Sequence, residues 1–242
     1  MLSREKGSQG SVKTIGIIGG IGTESTIEYY RSIIALYGER IPDGNYPSII
    51  INSIDLKKVL DLVSANSLAE LADYLVSEIQ RLAQAGAECG LVAANTPHIV
   101  FDDVRPRSLI PLISIVEVTC EAAQAMGLKR VGLFGTTFTM QGRFYRDVFA
   151  RVGITLVAPN LEDRTYVHDK YMNELVNGVF LPETRDGLLK IVDRLRETQQ
   201  IQGLILGGTE LPLILKEETH NGLPILNTTK IHVAAAVREM LA

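Results

Sequence analysis

The chain repeats itself. G-L-V-A-A-N-T-P-H, from Gly90 to His98, is echoed by G-L-I-L-G-G-T-E-L, from Gly203 to Leu211. Upstream, K-T-I-G-I-I-G-G at Lys13–Gly20 is echoed by K-R-V-G-L-F-G-T at Lys129–Thr136. These landmarks stand 77 positions apart in the first half (Lys13 to Gly90) and 74 in the second (Lys129 to Gly203). Each is a short apolar run ending in small residues and hydroxyls, the form of a buried strand whose C-terminal tip opens into a loop. Matched landmarks at matched spacing imply an internal duplication. The four loops should then face one another across a cleft between the halves.

Between the landmarks, helical and strand signals alternate. Gly19, Gly20 and Gly22 form a turn into a helix that carries Ile27, Tyr30, Ile33, Ile34 and Tyr37 at helical spacing, with Thr23 as its candidate cap. Ser48–Ile51 reads as a β-branched second strand ending at Asn52. Leu68, Leu71, Ala72, Leu75, Ile79 and Leu82 make one apolar stripe closed by Gly86. In the second half, Glu117–Met126 reads as a helix and Thr137 or Thr139 as the cap of another running through Phe149. His168–Asn177, Glu183–Thr198 and Thr228–Leu241 also read as helical. The expected fold class is α/β: two pseudo-symmetric, doubly wound domains with parallel sheets and the site in the cleft between them. Residues 1–12 read as a flexible tail, 13–107 as the first domain (completed by about 217–242) and 108–216 as the second.

Composition narrows the function classes. A length of 242 residues with 46% hydrophobic content suits one large or two small cores, and a net charge of −4 gives no reason to expect nucleic acid or an anionic membrane surface. No run approaches the roughly 18 apolar residues of a membrane span, and the polar start has no signal-peptide character, so a cytoplasmic location is expected. Two cysteines, Cys89 and Cys120, make no disulfide framework, and their spacing suggests no metal site.

In open α/β sheets, ligands bind beyond the carboxyl ends of the strands. The four ends here read G-G-I-G-T-E-S-T, A-A-N-T-P-H, G-T-T-F-T and G-G-T-E-L. Glycines expose backbone N–H groups and hydroxyls can join them, so a small anionic ligand fits better than an extended polymer. Dinucleotide binding is disfavoured: Gly20-x-Gly22 lacks its third glycine, which is Ser25, and Asn52 and Ser53 follow the second strand where an acidic residue is required. No phosphate-binding Gly-Lys-Ser/Thr loop is present.

T-I-G-I-I-G-G-I-G-T-E-S-T, A-N-T-P-H, G-L-F-G-T-T-F-T, L-G-G-T-E-L-P and N-T-T-K-I-H together resemble the aspartate/glutamate racemase family across almost everything from Lys13 to Leu241. The resemblance implies two α/β domains with the active site between them, commonly in a homodimer, and no cofactor. It also implies a pair of cysteines, one removing the substrate α-proton and the other supplying a proton to the opposite face. At both positions this sequence departs from the pattern, with Ala94 in A-N-T-P-H and Gly208 in G-G-T-E. Neither side chain can carry a proton, which rules out a two-thiol mechanism at these positions. Cys89 and Cys120 read as small buried hydrophobes.

Glu210 and His98 are then the candidate proton carriers, with Thr209 beside them in the catalytic group. The resemblance assigns Asn95, Thr96, Thr136 and Thr209 to the α-carboxylate and amino group of a small amino acid or dicarboxylate, and offers Asn52 and Lys170 for a distal carboxylate. Three readings stay open: a racemase with substituted catalytic groups, a related isomerase or lyase using one base, and a binding homologue without turnover.

Overall fold

The computed structural model describes residues 12–242, so the tail expected over 1–12 lies outside the described residues save for Val12. The first half comprises β1 (Ile15–Gly19), α1 (Thr23–Arg40), β2 (Ile49–Ser53), α2 (Leu56–Ser64), α3 (Leu68–Gln84), β3 (Cys89–Val92), α4 (Phe101–Val104) and β4 (Leu112–Ile113). The second begins with α5 (Ile115–Ala125), β5 (Arg130–Gly135), α6 (Thr137–Gln141), α7 (Arg143–Ala150), β6 (Thr155–Val157) and α8 (Leu161–Asn173). It continues through α9 (Pro182–Gln199), β7 (Gly203–Gly207), α10 (Leu211–Ile214), β8 (Thr219–His220) and β9 (Leu223–Asn227), and α11 (Thr228–Met240) follows.

One sheet runs β2-β1-β3-β4 and is parallel throughout. The other runs β6-β5-β7-β9-β8 and is parallel except for the β8–β9 pair. Matching β1 to β5, β2 to β6, β3 to β7 and β4 to β9 superimposes the two orders. The repeat in the sequence is therefore a repeat of strand order.

Both faces of each sheet are covered, which is why the central strands are apolar at nearly every position. Ile18 packs with Val59, Leu71, Leu75 and Ile79 of α2 and α3. Its neighbours Ile15 and Ile17 point the other way, against Tyr29 and Ile33 of α1 and Val233, Ala236 and Val237 of α11. In the second sheet Phe134, Leu204 and Leu206 meet α8 and α9, while Val131, Leu133 and Ile205 meet α5 and α7. Caps fix the helix starts: Asp55 accepts from the N–H groups of Lys57 and Lys58 at α2, and Asn227 from that of Lys230 at α11. Among the described residues no helix is long and apolar enough to cross a membrane.

Several local expectations are corrected. The buried face of α1 is Ser25, Tyr29, Ile33 and Tyr37, with Ile27 and Tyr30 exposed. That rotation lets the Ser25 hydroxyl donate to Ala93 O and brings the Tyr29 hydroxyl to His232. Gly22, not Thr23, is the N-cap of α1. Thr136, rather than Thr137 or Thr139, caps α6 by accepting from the Thr139 N–H. Gly142, extended at ψ 151°, divides the expected single helix into α6 and α7. The α2 helix lies in a segment where no element was expected, and α8 begins at Leu161, capped by Asn160, instead of at His168.

Candidate active site between the two sheets

The loops after β1, β3, β5 and β7 meet. They enclose a cavity of about 40 Å³ lined by Ile21 and Gly22, Thr96, Thr136 and Glu210, one contribution from each strand tip. Its outer wall is Leu56, Val59 and Leu60 of α2, Tyr171 and Met172 of α8, and Val176 just beyond. A larger pocket of about 370 Å³, lined among others by His98, Asp102, Glu117, Arg143 and Asp147, opens elsewhere and includes none of Gly22, Thr136 and Glu210. The smaller cavity, at the carboxyl ends of the strands, is the candidate site.

Among the described residues, Glu210 is its only acidic wall residue. The side chain is 1% exposed, and Oε2 accepts from the Tyr171 hydroxyl and from Thr209 Oγ1 at 3.0 Å. Burial pushes the carboxyl above the ordinary glutamate range. The two hydroxyl donations pull in the opposite direction, and Glu24 adds a like charge. The same burial, with Glu210 alongside, drives the Tyr171 phenol well above its usual value, so it stays a protonated donor. Oε1 lies against Gly22, whose φ of 105° and missing side chain both matter: a Cβ there would overlap the carboxylate oxygen.

Gly208 is explained by the same helix. A Cβ added to it would lie 2.9 Å from Tyr171 Cζ and 3.1 Å from the phenol oxygen. The aromatic ring fills the space a side chain at 208 would enter, so the position is occupied from α8. Ala94, at the other position where the resemblance implies a thiol, is buried in the apolar cluster formed by α2, α3 and β3.

Three hydroxyls form a second polar group across the cleft. Thr96 Oγ1 is 3.1 Å from Thr136 Oγ1 and 3.4 Å from Thr139 Oγ1, and the latter two are 3.2 Å apart. Thr96 comes from the first half and Thr136 and Thr139 from the second. A carboxylate entering here could accept from hydroxyls of both.

The remaining expected residues sit elsewhere. Asn95 is buried and stitches the halves together, its Oδ1 accepting from Tyr145 at 2.6 Å and its Nδ2 donating to Thr228 Oγ1 at 3.5 Å. His98 has both ring nitrogens committed to backbone: Nδ1 donates to Ala94 O at 3.0 Å and Nε2 accepts from the Ile115 N–H at 3.3 Å. Burial first, then the neighbouring His232, depress its pKa to about 3. The ring is neutral and carries no free nitrogen for proton exchange. Thr209 spends its hydroxyl on Glu210. Asn52 donates to Glu78 O and Oε2, beneath α3, and Lys170 pairs with Glu174 on α8. Neither lines the cavity, because each has a carboxylate nearer at hand. Cys89 and Cys120 are buried in clusters away from it, and burial raises both thiols, Cys89 to about 11. Among the described residues no group of three or more His, Cys, Asp or Glu converges as metal ligands would.

Sequence reasoning missed Tyr171, Met172, Val176 and the α2 wall. The wall had a signal, since Leu56, Val59, Leu60 and Val63 follow Asp55 at i, i+3, i+4 and i+7. Tyr171 had none.

The sequence profile of the Asp/Glu/Hydantoin racemase family matches residues 18–236. A Yersinia pestis structure described as a candidate Asp/Glu racemase is 32% identical, superimposes with a TM-score of 0.84 and covers 95% of this chain and 100% of its own. An aspartate racemase homologue from Pyrococcus horikoshii OT3 gives 32% identity, a TM-score of 0.80 and the same coverage. The broad specificity amino-acid racemase RacX of Bacillus subtilis (strain 168) is 22% identical over 238 residues, which is 94% of this chain and 98% of RacX.

Proposed function

This chain belongs to the Asp/Glu/hydantoin racemase family, and from that premise we propose that it binds a small amino acid in the cleft and exchanges its α-proton through Glu210 instead of a thiol pair. The observation that carries the reading is the Glu210 carboxylate itself. It stands in a cavity wall at a strand tip, nearly sealed from water, oriented by two hydroxyl donors and raised in pKa by burial. Raising the pKa of a carboxylate makes it a stronger base.

In the step proposed, the Cα–H bond breaks, the proton passes to a Glu210 oxygen, and the electron pair spreads into the substrate's α-carboxylate. In this reading the hydroxyls of Thr96 and Thr136, 3.1 Å apart, donate to the charge that develops there. The Glu210 carboxyl then trades this proton for one from solvent and delivers the solvent-derived one to the same face of Cα. Ala94 offers no acid on the other side, so the expected outcome is exchange with retention. This reading keeps the cofactor-free chemistry and the homodimer that the resemblance implies, and the cytoplasmic location expected from the composition.

The test is proton NMR in D₂O with both enantiomers of a panel of amino acids, followed by chiral chromatography. Wild-type protein should lose the α-proton signal without changing the enantiomer ratio, and Glu210→Gln should slow that exchange by about 100-fold or more. Inversion would require a second proton carrier and sink the one-base scheme. Ala94 also favours a second reading, a binding homologue without turnover, for which ligand-induced shifts without any exchange are the signature.

A further inference from the structure

We propose that the ligand of this cleft carries one carboxylate and a neutral, aliphatic side chain, and that the apolar wall of α2 and α8 selects it. The proposal rests on the reading of the cleft as an amino-acid site. It goes beyond that reading by naming which amino acids enter, and it runs against an acidic substrate.

The charge distribution carries it. Among the described residues, no Lys, Arg or His lines the cavity, and the only carboxylate in the wall is Glu210. A second substrate carboxylate would therefore enter a nearly dry space beside a like charge, with no counter-ion. The cations nearby in sequence face elsewhere. On α2, Lys57 pairs with Asp61, and Lys58 lies 3.8 Å from the centre of the Tyr74 ring. On α8, Lys170 pairs with Glu174. Behind the first sheet, Asn52 and Arg81 both engage Glu78. Each of these basic side chains thus has a partner outside the cleft.

The shape agrees. The Asp55 cap fixes the start of α2 so that Leu56, Val59 and Leu60 share one face, and this face meets Met172 and Val176 across the cavity. These apolar side chains share the cavity wall with Thr96 and Thr136, so a ligand whose carboxylate meets the hydroxyls has an apolar surface for its side chain. The cavity of about 40 Å³ is small, and a short aliphatic side chain asks least of that space and gains most from the apolar wall.

Ligand-observed NMR and titration calorimetry on the full chain test this, with alanine, 2-aminobutyrate, valine, aspartate and glutamate as both enantiomers. Neutral aliphatic ligands should bind at least 30-fold more tightly than aspartate or glutamate. Leu60→Arg, at a half-buried position from which a guanidinium can reach both the cavity and water, should reverse the order. Aspartate or glutamate binding as tightly as alanine to the wild type overturns the proposal, with no variant needed. Neutral ligands that bind but exchange no α-proton support the ligand class while removing Glu210 as a base. Exchange confined to dicarboxylates does the reverse. If neither class binds, both this proposal and the amino-acid reading fall.

Discussion

Glu210 is held in a buried place without a cation, and at neutral pH that arrangement costs stability. Its folded pKa lies above the ordinary value of 4.5, with burial as the first cause. Between the unfolded and folded values the native state binds more protons than the unfolded state. Stability therefore falls as pH rises through that window and stays reduced above it. Glu210→Gln keeps an oxygen for the Tyr171 and Thr209 hydroxyls but cannot ionise. The variant should be more stable than wild type at pH 8, by about 1.4 kcal/mol for each pH unit between the two pKa values, with the difference closing below about pH 4. Urea unfolding across pH measures it. A variant weaker than wild type by the same amount at every pH would mean that the carboxylate is not strained by burial. The residue that is the best candidate for chemistry is thus also the one whose removal should stabilise the fold.

At the scale of elements, α8 replaces something the β7 loop lacks. The loop carries Gly208 with no side chain, and Tyr171 of α8 fills that volume while its hydroxyl holds Glu210. Helix and loop should therefore be coupled. Gly208→Ala forces a methyl into the aromatic ring, an overpacking expected to cost about 1–3 kcal/mol. In a Tyr171→Ala background the ring is gone and most of that cost should vanish, giving a coupling energy of about 1–3 kcal/mol in a double-mutant cycle. Equal costs in both backgrounds would show that the ring does not occupy the position in solution. Neither partner could be paired from sequence. Tyr171 lies 37 residues before Gly208, inside a helix expected only from His168, about two turns past its observed start.

For the molecule as a whole, the joint between the halves is the segment from β4 into α5, and two buried histidines hold it. His98 Nε2 accepts from the Ile115 N–H, while His232 Nε2 donates to Ile113 O at 3.0 Å and its Nδ1 accepts from Tyr29. Burial depresses His98 to about 3 and His232 to about 4, so both rings are neutral in the folded state. Unfolded histidines titrate near 6.5. The stability these rings contribute is fully present above that pH and is lost as pH falls through it, down toward the folded values. Unfolding should take up close to two protons near pH 5, a slope of about 2.7 kcal/mol per pH unit. The measurement belongs in the Glu210→Gln variant, because wild-type Glu210 titrates with the opposite sign. A slope near zero between pH 5 and 6 would mean that the rings are not sealed from water.

Much of this molecule was legible in the sequence because the signals are local. Apolar runs ending in Gly and Thr declare parallel strands and their loops, the duplicated spacing declares two equivalent sheets, and the motif residues at the four strand tips declare where a site belongs. The absence of a thiol at Ala94 and Gly208 was equally plain. The tertiary structure alone decided the rest, because each remaining fact is a contact between residues distant in the chain. By residue type His98, Asn52 and Lys170 are all free to act, but the Ile115 N–H occupies the second nitrogen of His98, and Glu78 and Glu174 engage the other two. In sequence Gly208 is an empty position; in the fold Tyr171 fills it. A residue's type fixes what chemistry it can do, but burial and hydrogen-bond partners decide whether it is left able to do it. Those are properties of the packed chain.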